Sequence, residues 1–457
     1  MGPAVRPGPR RGPRTGPRAV LAALCAGAAL LAATTPAAVA EPHRRAGVEV
    51  EIPGPENGPE AGSGHVEVPA AGRARTASPP SGAAARAADG AVTALVETGP
   101  SADRLDVVVV GDGYTAEELG KFHADARAKW AEVTAVEPYT TYREYFNVWT
   151  VDAVSAQSGV SGDPGPDTVR DTALGTYFWC ERIERLLCVD QDKVDAYVAR
   201  APEADLVLVL ANSAKYGGAG YNEPSATLGY EGISTASAGH PKSGQVAIHE
   251  TGHSLGKLAD EYDYPGVPDY ERYTGPEPAD TNITTLDAAA LADRRVKWHR
   301  WLGETSPDGG TVGAYEGGGY YVTGLRRPTG ESLMRILGKP FNLPGVEAMI
   351  AGFHRHANPA TALTPTDRTL RARHTAKIAV PRLAGPAGSA QPVVRWYLDG
   401  RELRRFAGRE QVRVAELWLF DLRSHRLSVT VEDRTPAVRD LEIARTLTST
   451  LTWNVRL

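Results

Sequence analysis

The chain has 457 residues, 42% of them hydrophobic and 23% charged, with a formal net charge of -5 at pH 7. That apolar share supports two or three cored domains and excludes a fibrous or wholly disordered chain. The mild acidity excludes a general attraction to nucleic acid or to anionic membrane surfaces.

Residues 1–40 read as an export signal. Arg6, Arg10, Arg11, Arg14 and Arg18 form a basic start, Ala19 to Leu31 is apolar but too short for an ordinary membrane span, and Ala38-Val39-Ala40 offers a cleavage site. Cys25 lies inside the apolar run, with Leu24 before it where a lipoprotein site has a small residue. The expectation is a secreted, extracellular protein with no membrane contact once the signal is removed. Residues 41–92 are rich in Ala, Gly, Pro, Glu and Arg with almost no large apolar side chains, so they are expected to build no core and to serve as a disordered linker or a propeptide.

A catalytic domain is expected over residues 93–364. The run Leu105 to Val110 has the pattern of a buried strand, and Gly111-Asp112-Gly113-Tyr114-Thr115 is a turn whose Thr115 is placed to cap a helix over Glu117 to Val133. Strands follow at Phe146 to Val151 and Leu206 to Leu210, with helical spacing between Lys193 and Arg200. Alternating strands and helices predict a mixed α/β layer with a largely parallel sheet. Cys180 and Cys188, the two cysteines outside the signal, are expected to form a local disulfide in an oxidising compartment. Tyr216 to Tyr221 is a glycine-rich loop without phosphate-binding spacing, read as a cleft rim or a plain turn.

The helix predicted over Gln245 to Leu255 carries His249-Glu250-Thr251-Gly252-His253. Histidines four apart on a helix project from one face about a turn apart, so both imidazoles reach one metal ion, and zinc is the ion such a pair suits. Glu250 leaves the helix about 100° from His249, which makes it a general base beside the metal rather than a ligand. Gly256 can take the left-handed conformation that ends a helix and turns the chain back under the metal, toward a third ligand at Asp260 or Glu261, of which Asp260 is preferred. Calcium is a further candidate near Asp260, Glu261, Asp263 and Asp269.

Beyond the site, a helix is predicted from Asp287 to about Trp298, with His299 after it in a surface or packing role. A tyrosine of the Tyr315 to Tyr321 loop either donates to a developing oxyanion or packs. Met334, one of 3 methionines, suits a methionine turn beneath the zinc, whereas His354 and His356 end a helix away from it. From about Pro365, short alternating runs such as Val393 to Leu398 and Leu427 to Glu432 predict an immunoglobulin-like β-sandwich over residues 365–457.

In the order Gly111 to Thr115, Glu137-Pro138-Tyr139, Phe146-Asn147-Val148, Tyr216-Gly217-Gly218, His249 to Tyr262, Gly313 to Gly318, Arg326-Arg327-Pro328 and Leu333-Met334-Arg335, the chain resembles the IgA peptidase family of secreted bacterial zinc metallopeptidases. The resemblance covers about Asp106 to Gly352. It implies a metzincin-like α/β (α+β) zinc peptidase domain, one catalytic zinc, endopeptidase action on protein or peptide substrates, and His249, His253 and Glu250 in the matching places. Ala259 stands where the metzincin pattern has a histidine, and Ser332 and Phe341 to Pro344 stand where family members often have cysteines. The expected reaction is hydrolysis of a peptide bond by a zinc-activated water, with Glu250 as base. The rival readings are a secreted binding or adhesion protein with a structural zinc, and a zinc amidase acting on cell-wall peptide.

Overall fold

In a strand successive side chains face opposite sides, and the central runs Val107–Val110 and Leu206–Ala211 are apolar at every position, so they must be covered on both faces. The computed structural model describes residues 47–56, 64–69, 78–385 and 391–457; the expected export signal lies outside the described residues. Its main sheet is built from β1 (Gly47–Ile52), β2 (Gly64–Pro69), β3 (Val92–Val96), β4 (Leu105–Asp112), β5 (Phe146–Val151), β6 (Leu206–Ala211), β7 (Gly218–Tyr221) and β8 (Ile233–Ser237), in the order β2-β1-β7-β8-β6-β4-β5-β3. β4 runs parallel to β5 and β6, and β6 parallel to β8, but β1, β2, β3 and β7 pair antiparallel, so the sheet is mixed rather than largely parallel.

Helices cover both faces. They are α1 (Ala83–Ala88), α2 (Leu119–Val133), α3 (Gln191–Val198), α4 (Ser243–Ser254), α5 (Ala288–Arg294), α6 (Leu343–His356) and α7 (Leu441–Thr446). Val107, Val109, Leu206 and Leu208 point into a core shared with Phe122 of α2, Ile248 of α4 and Phe353 of α6. The intervening Val108, Val110, Val207 and Val209 point to the other side, against Val194 and Val198 of α3. Each such side chain, fully buried, contributes roughly 1.5–3 kcal/mol of transfer free energy. Thr115 forms the predicted cap, with its backbone N–H donating back to Glu118 at 3.0 Å, and a short turn of helix over Ala116–Glu118 leads into α2. The helix expected to run on to Trp298 ends at Arg294, because Arg295 takes a left-handed conformation with φ 55°.

Three further sheets follow. β9 (Tyr315–Gly318) and β10 (Tyr321–Arg327) form a ribbon beyond α5. β11 (Thr361–Ala362), β12 (Thr375–Ala379) and β15 (Gln411–Arg413) make one antiparallel sheet; β13 (Val393–Leu398), β14 (Arg401–Glu402), β16 (His425–Glu432) and β17 (Thr448–Val455) make another. These last two sheets enclose one core, in which Trp396 and Trp453 stack with ring centroids 5.8 Å apart. The C-terminal region is tied to the first core: Leu383, Val438 and Leu447 are buried in it, and Glu347 of α6 accepts from the backbone of Arg439 at 2.5 Å and Asp440 at 2.6 Å.

One expectation is overturned at the N-terminal side. Over residues 41–92 no core was expected, yet β1 and β2 form a hairpin whose Val50, Ile52 and Val68 are buried, and α1 follows at Ala83. A segment too poor in apolar residues to fold alone can still order by laying a few of them on a sheet that already exists; here they join the α3 face. Tyr216 to Tyr221 likewise is not all loop, since Gly218 to Tyr221 is β7. Cys180 and Cys188 are joined as a disulfide with Cα atoms 5.8 Å apart, both buried.

Candidate metal centre

α4 packs on β7 and β8 and alongside α2, and its sequence reflects that confinement: every residue from Val246 to Gly252 is buried. Gly252 lets the helix approach closely, because a Cβ there would stand 2.5 Å from the sulfur of Met334, which is buried under the helix. Tyr139 braces the same turn through a 2.6 Å hydrogen bond between its hydroxyl and that of Thr251. α4 ends as expected but not by the expected residue. Lys257 is the left-handed residue, with φ 50°. Gly256 is needed for room instead: a Cβ on it would meet the Gly252 carbonyl oxygen at 2.6 Å and Met349 Sδ at 2.8 Å.

The turn brings Asp260 beside the two histidines. His249 Nε2 and His253 Nε2 are 3.1 Å apart, and Asp260 Oδ1 lies 3.1 Å from the first and 3.6 Å from the second. A fourth donor completes the group: Glu51 Oε1, from β1, is 3.3 Å from His249 Nε2 and 2.9 Å from His253 Nε2. These four side chains are the one group among the described residues in which three or more metal-capable side chains converge. Four donors each about 2.0–2.1 Å from a zinc ion sit at tetrahedron corners about 3.3–3.4 Å apart. The five separations given above scatter around that edge length.

The outer hydrogen bonds agree. His249 Nδ1 lies 3.1 Å from the Leu333 carbonyl oxygen and His253 Nδ1 2.6 Å from that of Leu258, so each Nδ1 carries the hydrogen and donates it. That leaves both Nε2 lone pairs facing the cluster, the arrangement a metal ligand needs. Asp260 Oδ2 accepts from the Tyr320 hydroxyl at 2.5 Å, while Oδ1 turns inward to the two imidazoles. Glu51 Oε2 accepts from Asn222 Nδ2 at 2.8 Å. Inward-facing acceptors without donors are the fit expected for a cation.

The charges point the same way. Burial pulls the His249 imidazole down, but hydrogen bonding to Asp260 and Glu51 and their charges outweigh it, and its pKa stands well above the usual value. For His253 burial is likewise more than offset by the charges of Glu51 and Asp260, to about 9. Glu51, which burial alone would push up, is held well below the usual carboxylate range by His253 and His249. Donors that strengthen the hold of these imidazoles on a proton also strengthen it on a metal cation.

Glu250 stands outside the four. It is fully buried, neither carboxylate oxygen has a hydrogen-bond partner, and burial followed by the charge of Glu51 pushes its pKa well above the usual range. It faces β7 so closely that a Cβ on Gly220 would stand 1.8 Å from its Oε2.

Of the two acids left open after Gly256, Asp260 joins the histidines and Glu261 does not. Glu261 accepts from Ser332 Oγ at 2.7 Å, Asn282 Nδ2 at 3.0 Å and Asn342 Nδ2 at 3.0 Å in a buried network. Asp263 pairs with Arg335, and Asp269 is at the surface, so the acids named for calcium are dispersed. His299 hydrogen-bonds Arg300 at 3.0 Å, His354 lies 3.4 Å from Asp433, and His356 contacts Asp205 and Glu231; none approaches the cluster. The hydroxyl of Tyr320, in the loop considered for an oxyanion donor, is committed to Asp260.

Glu51 is the residue sequence reasoning missed. Its stretch was judged on composition, but Val48-Glu49-Val50-Glu51-Ile52 alternates with period two, and that strand signal was there to be found.

No curated protein matches the chain. Residues 93–310, which include both histidines, Glu250 and Asp260, match the family model described as IgA Peptidase M64. That match, over slightly under half of the chain, supports its likeness to the IgA peptidase family.

Proposed function

We propose that the chain is a secreted zinc-dependent endopeptidase, with His249, His253 and Asp260 as its metal ligands and Glu250 as general base. The observation that carries the reading is the placement of Glu250: a buried carboxyl without hydrogen-bond partners, next to the donor cluster and against the backbone of an outer strand. A zinc ion bound there supplies Lewis acidity, polarising a scissile carbonyl and acidifying a water. Glu250, buried beside the donor cluster without hydrogen-bond partners, is placed to take a proton from the attacking water and return it to the leaving amine. Tyr320 and the carbonyls of Leu333 and Leu258 hold Asp260 and the two imidazoles in register. In this reading the domain is metzincin-like, with Met334 beneath α4, and the two C-terminal sheets form an immunoglobulin-like sandwich that braces α6 through Glu347.

The test is Glu250→Gln. The variant should keep one zinc per chain and, measured against the casein-hydrolysing form of the wild type, lose hydrolysis by at least about a hundredfold. Wild-type turnover in a folded, zinc-loaded Glu250→Gln protein refutes the assignment.

One observation favours the rival reading of a structural metal in a binding protein. Glu51 closes the fourth position with a protein group, and closed sites are usually structural. Glu250 speaks against it, because a structural site has no use for a buried, unpartnered carboxyl beside it.

A further inference from the structure

Glu51 reaches the cluster from a segment 198 residues before His249, whereas the other three donors come from α4 and the turn after it. β1 joins the main sheet through β7 alone, in antiparallel pairing with Glu51 opposite Gly220. Glu250 lies over the face of β7 at Gly220, the residue that Glu51 pairs with, so an extended peptide taking the place of β1 along that edge would lay its backbone beside the base.

The chain after Glu51 is held as a guest strand would be, by its main chain. Arg185 Nε donates to the Pro53 carbonyl at 2.8 Å, Tyr216 donates to that of Gly54 at 2.5 Å, and Lys242 donates to that of Glu56. Residues 54–56 run into a cavity of about 260 Å³ whose other walls include Tyr262 and Arg335. Contacts of this kind accept any extended peptide; Glu51 is the one side chain of β1 that reaches the metal donors.

We propose that the β1–β2 hairpin is an inhibitory segment. It occupies the substrate-binding edge of β7, and Glu51 takes the metal position that the reaction needs open, so that the chain as synthesised is latent. This rests on the peptidase reading and resolves the closed site: the fourth ligand is removable. Release requires only that the hairpin leave β7 and that Glu51 give up its place to solvent, with no bond made or broken in the site.

The experiment uses the full chain loaded with cobalt(II), whose visible absorption reports its ligands, titrated with acetohydroxamate as a small bidentate metal probe, in parallel with casein hydrolysis by the zinc form. Wild type should bind the probe weakly, and Glu51→Gln should bind it at least tenfold more tightly with one metal per chain retained. Asn222→Ala, which frees Glu51 Oε2, should move affinity the same way and decides the matter if Glu51→Gln does not fold. Probe affinity equal to wild type, or loss of the metal from Glu51→Gln, overturns latency. Tighter probe binding without casein hydrolysis upholds latency and refutes the peptidase reading. Equal probe affinity with brisk wild-type hydrolysis does the reverse.

Discussion

Replacing Gly252 with alanine asks whether α4 is seated on the sulfur beneath it. The added Cβ would stand 2.5 Å from Met334 Sδ, 3.1 Å from its Cε and 3.3 Å from Phe341 Cε1. Ordinary contacts lie near about 3.5–4.0 Å, so the thioether has to move by about 1 Å. Met334 is fully buried, and overpacking of this kind costs about 1–3 kcal/mol. Alanine recovers up to about 1 kcal/mol over glycine inside a helix, leaving a net loss of about 0–2 kcal/mol. With Met334→Ala in the background the obstacle is gone and the same change becomes neutral or stabilising. A double-mutant cycle should therefore give a coupling of about 1–3 kcal/mol. Thermal unfolding reads this, since for a chain of this length 1 kcal/mol moves Tm by about 1 °C. A Gly252→Ala penalty as large with Met334→Ala as without it refutes the packing argument.

Two further outcomes separate ligand from scaffold and test a salt link. Asp260→Asn should weaken zinc binding at least about tenfold, whereas Glu261→Gln should leave zinc affinity near wild type and lower stability by about 1–3 kcal/mol, read by zinc titration and thermal unfolding. The reverse pattern reassigns the third ligand. His356, at the end of α6, has Nδ1 2.8 Å from Asp205 and Nε2 3.0 Å from Glu231, and against the pull of burial these hydrogen bonds raise its pKa to about 9. A raised histidine stabilises fully below its unfolded value of about 6.5 and stops doing so as pH climbs through about 9. His356→Asn should thus cost about 2–3 kcal/mol at pH 6 and much less at pH 10, and a penalty flat over that range contradicts the link.

The parts of this fold that local chemistry dictates were open to inspection in the chain itself. Unbroken apolar runs at Val107 to Val110 and Leu206 to Leu210 read as central strands, Thr115 before an acidic turn can hardly avoid capping, and His249 with His253 must share a helix face. What escaped depended on partners distant in sequence. Asp260 and Glu261 are both acids after the same turn, and only Asn282, Ser332 and Asn342, which claim Glu261, separate their roles. Gly218 and Gly220 look like loop residues until Thr235 and Glu250 are seen to leave no space for a Cβ on β7. Gly256 looked like a helix terminator, but Met349 and the Gly252 carbonyl explain it and Lys257 makes the turn. Glu51 was hidden because its strand borrows the core it packs on, and composition weighs a segment only by what it brings.

A cation held between His249, His253 and two carboxylates is tested most directly by zinc titration of the chelator-treated chain, with wild type beside His253→Ala. One ion should bind per wild-type chain with submicromolar affinity, and His253→Ala should lose at least about a hundredfold of it. A wild-type chain that takes up no zinc, or a His253→Ala chain that binds it equally well, contradicts the account.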